Sequence, residues 1–151
     1  MLRFQPANTK WWRKPLVQVD GRVLPAELAV LAGELGPRER GVWMNSRGTT
    51  SGVVDLIPTT AVEGSGYVTT RELLPGFVAE ALTGIYRRTR LAKGCPDLVI
   101  WHLDRDTFRL VEVKRRHFDA PTTEQEHFMR SAASAGVRTS VVEWEFSKGA
   151  A

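Results

Sequence analysis

Cysteine and long apolar runs are what this 151-residue chain has least of. Its single cysteine, Cys95, excludes an internal disulfide, so folding calls for no oxidising compartment. Cys95 stands between Gly94 and Pro96, away from any second thiol, so a zinc site is not expected and the side chain reads as a small buried apolar group. No segment approaches the ~20 apolar residues of a membrane-spanning helix, and no membrane partner is expected. The opening residues MLRFQPANTKWWRKP hold no continuous apolar core and do not read as a secretory signal. A domain cut from a longer chain would begin in the same way. No tandem repeat or low-complexity tract is present to argue for a solenoid or a linker.

What is present fits one domain over residues 1–151, large enough for a real core. Hydrophobic content of 42% and charged content of 25% are those of a soluble globular chain. The net charge of +4 suits a polyanionic partner.

Along the chain, Trp11-Trp12-Arg13-Lys14 joins stacking surface to positive charge, although a Trp pair covering a core edge is the simpler reading. Residues 16–24 carry a hairpin signal, because Asp20-Gly21 satisfies the positive φ that a type I′ turn demands. Pro25 opens a helix, Leu28, Leu31, Ala32 and Leu35 recur at helical spacing, and Gly36-Pro37 closes it. Residues 41–67 read as short strands joined by loops. Within them Asn45 to Gly52 is a connecting loop that could line a phosphate path through Arg47, and Asp55 is a carboxylate in an apolar run. A helix from about Leu74-Pro75 to Arg90 is expected to bury Phe77, Ala81, Leu82 and Ile85, with Val78 at its margin. Thr122-x-x-Gln125 is a capping-box signature for a helix to about Ala135, with Phe128, Met129 and Ala132 on one stripe. Gly136 supplies the left-handed stop, and residues 138–146 return as a strand.

The stretch GCPDLVIWHLDRDTFRLVEVK, Gly94 to Lys114, carries the chemistry. Two strands and a polar turn are predicted, with Leu110, Glu112 and Lys114 on one face of the second strand and Val111 and Val113 on the other. Glu112 and Lys114 are then ~6–7 Å apart, and hairpin pairing brings Asp97 beside them. Two adjacent carboxylates repel and push one pKa up. A divalent cation removes that conflict: Asp97 and Glu112 offer hard oxygen ligands for Mg²⁺ or Mn²⁺, and the Val113 carbonyl offers another. Lys114 would orient an attacking water or offset phosphate charge. The competing reading is a solvent-facing hairpin with an ordinary Glu–Lys pair. Four basic residues, Arg87, Arg88, Arg90 and Lys93, precede Asp97, and Arg115 and Arg116 follow Lys114. Part of the first cluster suits a helix C-terminus without any substrate, but its nearness to the candidate ligands points to contacts with a nucleic-acid backbone.

Gly94-x-Pro96-Asp97, then Glu112-Val113-Lys114, then Gln125 on a following helix resembles the VRR-NUC branch of the PD-(D/E)xK nucleases. Within it the run is most similar to the nuclease domain of the Fanconi-associated structure-selective nuclease, over about Leu74 to Trp144. The resemblance implies an α/β fold with a small mixed sheet flanked by helices, here with residues 1–73 as an N-terminal elaboration and 74–146 as the motif-bearing core. It implies a metal-dependent DNA phosphodiesterase with Asp97, Glu112 and Lys114 as its catalytic set. It also implies a further Glu from an early helix. Glu27 is the choice, with Glu34, Glu72 and Glu80 as rivals. Gln125 matches the family's glutamine and would reach toward the metal site and the DNA. Where the family commonly follows the lysine with Gly-Pro and an Asp, this chain has Arg115-Arg116-His117-Phe118-Asp119, so substrate preference is not carried across. Nothing resembles a recognition helix, so little base-specific reading is expected.

Three settings follow. The first is a DNA repair or replication endonuclease in the cytoplasm. The second is the nuclease end of a secreted antibacterial effector, acting in a target cell's cytoplasm and neutralised by an acidic immunity protein. The third is a non-catalytic DNA-binding module on the same fold, against which the intact Asp97, Glu112 and Lys114 argue.

Overall fold

The computed structural model describes residues 1–7, 15–44, 56–59, 62–63, 66–67 and 74–147. The Trp11 to Lys14 cluster, the Asn45 to Gly52 loop with Arg47, Asp55 and Glu72 lie outside the described residues. In chain order the elements are β1 (Leu2–Pro6), β2 (Leu16–Val19), β3 (Arg22–Pro25), α1 (Ala26–Glu34), β4 (Glu39–Met44), β5 (Leu56–Thr59), β6 (Val62–Glu63), β7 (Gly66–Tyr67), α2 (Gly76–Thr89), β8 (Leu98–His102), β9 (Phe108–Arg115), α3 (Thr123–Ser134) and β10 (Arg138–Phe146). One mixed sheet of eight strands runs in the order β3-β2-β1-β10-β9-β8-β4-β5, and β6 and β7 pair apart from it.

Local chemistry sets the connections. Asp20 and Gly21 both take positive φ, 51° and 76°, and close the β2–β3 hairpin as the Asp-Gly pair predicts. β8 and β9 pair antiparallel across the polar turn, whereas β9 and β10 are parallel. A parallel pair needs a crossover, and α3 supplies it. α3 starts in a complete capping box, in which the Gln125 N–H donates to the Thr122 side chain and Gln125 Oε1 accepts from the Thr122 N–H at 2.9 Å. Gly136, at φ 85°, ends it.

The sheet is covered on both faces. Val99, Trp101 and Leu110 meet Val78, Leu82, Ile85 and Tyr86 of α2 and Phe128 and Ala132 of α3. On the other face Leu98, Ile100, Val111, Val113 and Trp144 meet Leu28, Val30 and Leu31 of α1. Each fully buried aliphatic side chain of this kind contributes about 1.5–3 kcal/mol. The buried stripe of α2 is Val78, Leu82, Ile85 and Tyr86, so the helix is rotated from the expected face. Val78 is fully buried, while Phe77 and Ala81 lie half-exposed and Phe77 packs edge-on to Phe108. α1 buries Leu28 and Leu31 of the expected stripe and adds Ala26, Ala29 and Val30, because the sheet surrounds it on more than one side, while Ala32 is exposed and Leu35 half-buried.

That enclosure comes from curling. α1 touches β2 and β3 near one end of the strand order and β4 near the other, so the sheet wraps around it. Contact is close enough that a Cβ on Gly41 would lie 2.7 Å from Leu31 Cδ1. Residues 2–6, not foreseen as a strand, add β1 alongside β10, with Leu2 opposite Trp144 and Phe4 opposite Phe146. The alternation Leu2, Phe4 against Arg3, Gln5 was the available signal.

Candidate active site

The β8–β9 register pairs Leu98 with Val111, so the residues one step further out, Asp97 and Glu112, come to the same end of the sheet. Asp97 is pinned from two sides. Its Oδ2 accepts the Val113 N–H at 2.9 Å, and its own carbonyl accepts the Met44 N–H at 2.7 Å. In an extended residue the N–H and C=O point to the same side, so the Val113 carbonyl also faces past the start of β8. Glu112 and Lys114 share the face of Leu110, opposite to Val111 and Val113, as the period of two requires.

Glu112 is fully buried, and it is the only buried charged residue among those described. Neither of its carboxylate oxygens completes a hydrogen bond, and Lys114 Nζ lies 3.5 Å from Oε1. Burial first, then Asp97, pushes the Glu112 carboxyl up to about 10 against the opposing pull of Lys114. A buried carboxylate without hydrogen-bond partners costs several kcal/mol, roughly, in place of an apolar residue. Such an orphaned pair of oxygens beside a second carboxylate fits a hard divalent cation. The exposed Glu–Lys reading is overturned by the burial of both side chains, with Lys114 only 14% exposed. Among the described residues no group of three or more His, Cys, Asp and Glu side chains gathers into a metal cage.

Of the early glutamates, Glu34 is held elsewhere. Its Oε2 is 3.2 Å from Arg109 Nη1, and Glu39 Oε1 is 3.1 Å from Arg109 Nη2. Arg109 is the second residue of β9, ~16 Å along the strand from Lys114, so Glu34 belongs to the far end of the sheet. Glu80 is exposed on α2. Glu27 lies at the near end. Pro25 pairs with Leu16, β1 and β10 carry the register across, and Trp144 pairs with Arg115. α1 therefore starts at the end of the sheet that holds Lys114, with Glu27 half-buried in its first turn and its Oε2 out of contact with solvent.

The basic residues separate by face. Arg87, Arg88 and Arg90 are exposed at the C-terminus of α2, the helix that packs on the Glu112 face and feeds into Asp97. Arg115 points to the opposite face, where its guanidinium lies 3.7 Å from the Phe118 ring centroid and 4.7 Å from that of Phe146. Adjacency to Lys114 in sequence put Arg115 in the same cleft; strand alternation places it on the other side. Arg116 is exposed, 3.8 Å from Glu145 Oε2. Gln125 spends its side-chain oxygen on the helix cap.

The link between α2 and β8 is tightly built. A Cβ on Gly94, at φ 129°, would meet the Glu124 carbonyl oxygen at 2.8 Å, so only glycine lets α3 close over this loop. Cys95 is buried, and its N–H donates to the Tyr86 hydroxyl at 3.2 Å. Burial, with the Glu112 and Asp97 charges, pushes its thiol far up, so it is an inert packing group.

A curled mixed sheet with an acidic pair and a lysine at the ends of adjacent strands defines a PD-(D/E)xK-type core. The VRR-NUC domain profile matches residues 60–144, and the chain belongs to that family. Among solved structures it is similar to paFAN1, from a crystal structure of that protein bound to DNA with a two-nucleotide 5′ flap and a gap, at 21% identity and a TM-score of 0.40. That match covers 55% of this chain and 17% of paFAN1, so the chain spans well under a fifth of that protein. No curated protein matches.

Proposed function

We propose that the chain is a DNA endonuclease that hydrolyses phosphodiester bonds with the help of Mg²⁺ or Mn²⁺, and that residues 1–151 act as one nuclease domain. The carrying observation is the fully buried Glu112 carboxylate, without hydrogen bonds and flanked by Asp97 and Lys114. Asp97, Glu112 and the Val113 carbonyl would hold the cation, with Glu27 at the same end of the sheet. When bound, the metal supplies Lewis-acid polarisation of the phosphate and a lowered water pKa.

The chain's own residues do the rest. Asp97 is oriented by the Val113 N–H. Lys114, positioned by Glu112, orients the attacking water and offsets charge building on the phosphate. Arg87, Arg88, Arg90 and Arg116 meet the DNA backbone, with α2 bringing the first three to the Glu112 face. Selectivity would rest on DNA shape and strandedness.

The test is cleavage of supercoiled plasmid, single-stranded, blunt duplex and flapped DNA with Mg²⁺ or Mn²⁺ and with chelator, beside Glu112→Gln. Cleavage that needs the metal and is lost in the variant is expected. Equal cleavage by the variant, or none by the wild type on any of these substrates, refutes the proposal.

A further inference from the structure

The nuclease reading makes no use of Phe118, the most exposed of the large hydrophobic side chains among the described residues, at 69%. Exposure alone is unremarkable for a loop phenylalanine, but this ring is held in place. The chain turns sharply after β9, with His117 at φ 67°. The N–H groups of Phe118 and Asp119 both donate to the Arg115 carbonyl, at 3.1 and 3.0 Å, while Asp119 Oδ2 accepts the Arg115 N–H at 3.2 Å. The turn thus closes on itself at the residue that follows Lys114.

The ring also ends a stack. Trp144, buried in the core, packs edge-on to Phe146 with centroids 5.1 Å apart. The Arg115 guanidinium sits 4.7 Å from Phe146 and 3.7 Å from Phe118. Rings and guanidinium therefore run outward from the core, and the outermost member is Phe118. A planar cation against one face fixes the ring and leaves it open to solvent on the other side. The ring lies with Arg115 on the face of β9 opposite Glu112 and Lys114, at the same end of the strand, and a flat π-surface already immobilised there is what single-stranded nucleic acid uses: bases stack on the ring while cations follow the backbone. Since the ring is ordered beforehand, little side-chain entropy is lost on binding.

We propose that Phe118 is a stacking platform for one unpaired nucleobase of the DNA strand engaged at the Asp97–Glu112–Lys114 end of the sheet, with Arg115 as its positioning residue. This rests on the nuclease reading and adds a preference for single-stranded or frayed DNA next to the cut.

The test measures binding, without divalent ions, of the wild type, Phe118→Ala, Phe118→Leu and Phe118→Trp. The probes are a single-stranded oligonucleotide carrying 2-aminopurine and a blunt duplex. Stacking is worth about 1–3 kcal/mol per base, so Ala and Leu should weaken single-strand binding by roughly 5- to 150-fold. Trp should keep it, and duplex affinity should not move. The 2-aminopurine quenching seen with the wild type should vanish in Ala and Leu, while the salt slope stays constant because the ring neutralises no phosphate. Unchanged single-strand binding by Ala overturns the proposal, as does an equal loss on both probes. Wild-type behaviour of Leu shows an apolar contact without stacking and overturns it too. Metal-dependent cleavage by the wild type with no effect of these variants removes this proposal alone. Absence of both binding and cleavage in the wild type removes the nuclease reading with it.

Discussion

Glu112 turns the stability of the metal-free protein into a readout of the site. Its carboxyl is pushed up to about 10, chiefly by burial and then by Asp97. In the unfolded chain it titrates at ~4.3. Between these values the folded chain keeps a proton that the unfolded chain has released, so unfolding is favoured as pH rises. The group's stabilising contribution is fully present below its unfolded pKa, declines through neutrality and is lost as pH passes about 10. The slope is about 1.4 kcal/mol per pH unit for one proton, so the step from pH 6 to pH 8 should cost about 3 kcal/mol. Glu112→Gln keeps the shape and removes the titration. Urea unfolding of both proteins at pH 6, 7 and 8 in chelator cancels, on subtraction, the titrating groups that do not touch Glu112. The variant should gain on the wild type by about 3 kcal/mol across that range. Added Mg²⁺ or Mn²⁺ should stabilise the wild type more at pH 8 than at pH 6, since the ligand must be ionised to bind. Parallel pH profiles for the two proteins would refute the assignment of a buried carboxyl with a raised pKa.

Other outcomes can be checked on the same preparations. Asp97→Ala removes the acceptor of the Val113 N–H, so it should cost about 1–3 kcal/mol in urea unfolding as well as abolish cleavage. Normal cleavage by a folded Asp97→Ala refutes its role. Lys114→Arg keeps the charge on a broad planar group; under single-turnover conditions it should lose on the order of a hundredfold or more in rate while binding DNA nearly normally. A wild-type rate would show that charge alone suffices. Gly94→Ala should lower stability by about 1–3 kcal/mol, because it needs both a left-handed backbone and space occupied by the Glu124 carbonyl; an unchanged thermal midpoint would refute that packing.

Much of the candidate site's geometry was legible because its logic is local. Strand alternation separated Leu110, Glu112 and Lys114 from Val111 and Val113 without any knowledge of the fold, and the polar turn at 104–107 fixed the pairing that brings Asp97 alongside. Asp20-Gly21 and Thr122-x-x-Gln125 encode their own turn and cap. What stayed hidden depends on distant partners. The rotation of α2 toward Val78 and the fuller burial of α1 follow from how the sheet curls, which no single window records. Glu27 and Glu34 look alike in sequence and are separated only by Arg109, which captures Glu34 at the far end of β9. Phe118 and Arg115 form a unit with Trp144 and Phe146, some thirty residues later in the chain.

β9 has strand neighbours along both edges and helices over both faces. Its amides should then exchange with solvent only on global opening, among the slowest in the protein. Glu112 and Lys114 ride on the last part of the molecule to come apart, and Asp97 is tied to that strand through the Val113 N–H. Activity plotted against temperature should break where the whole fold melts.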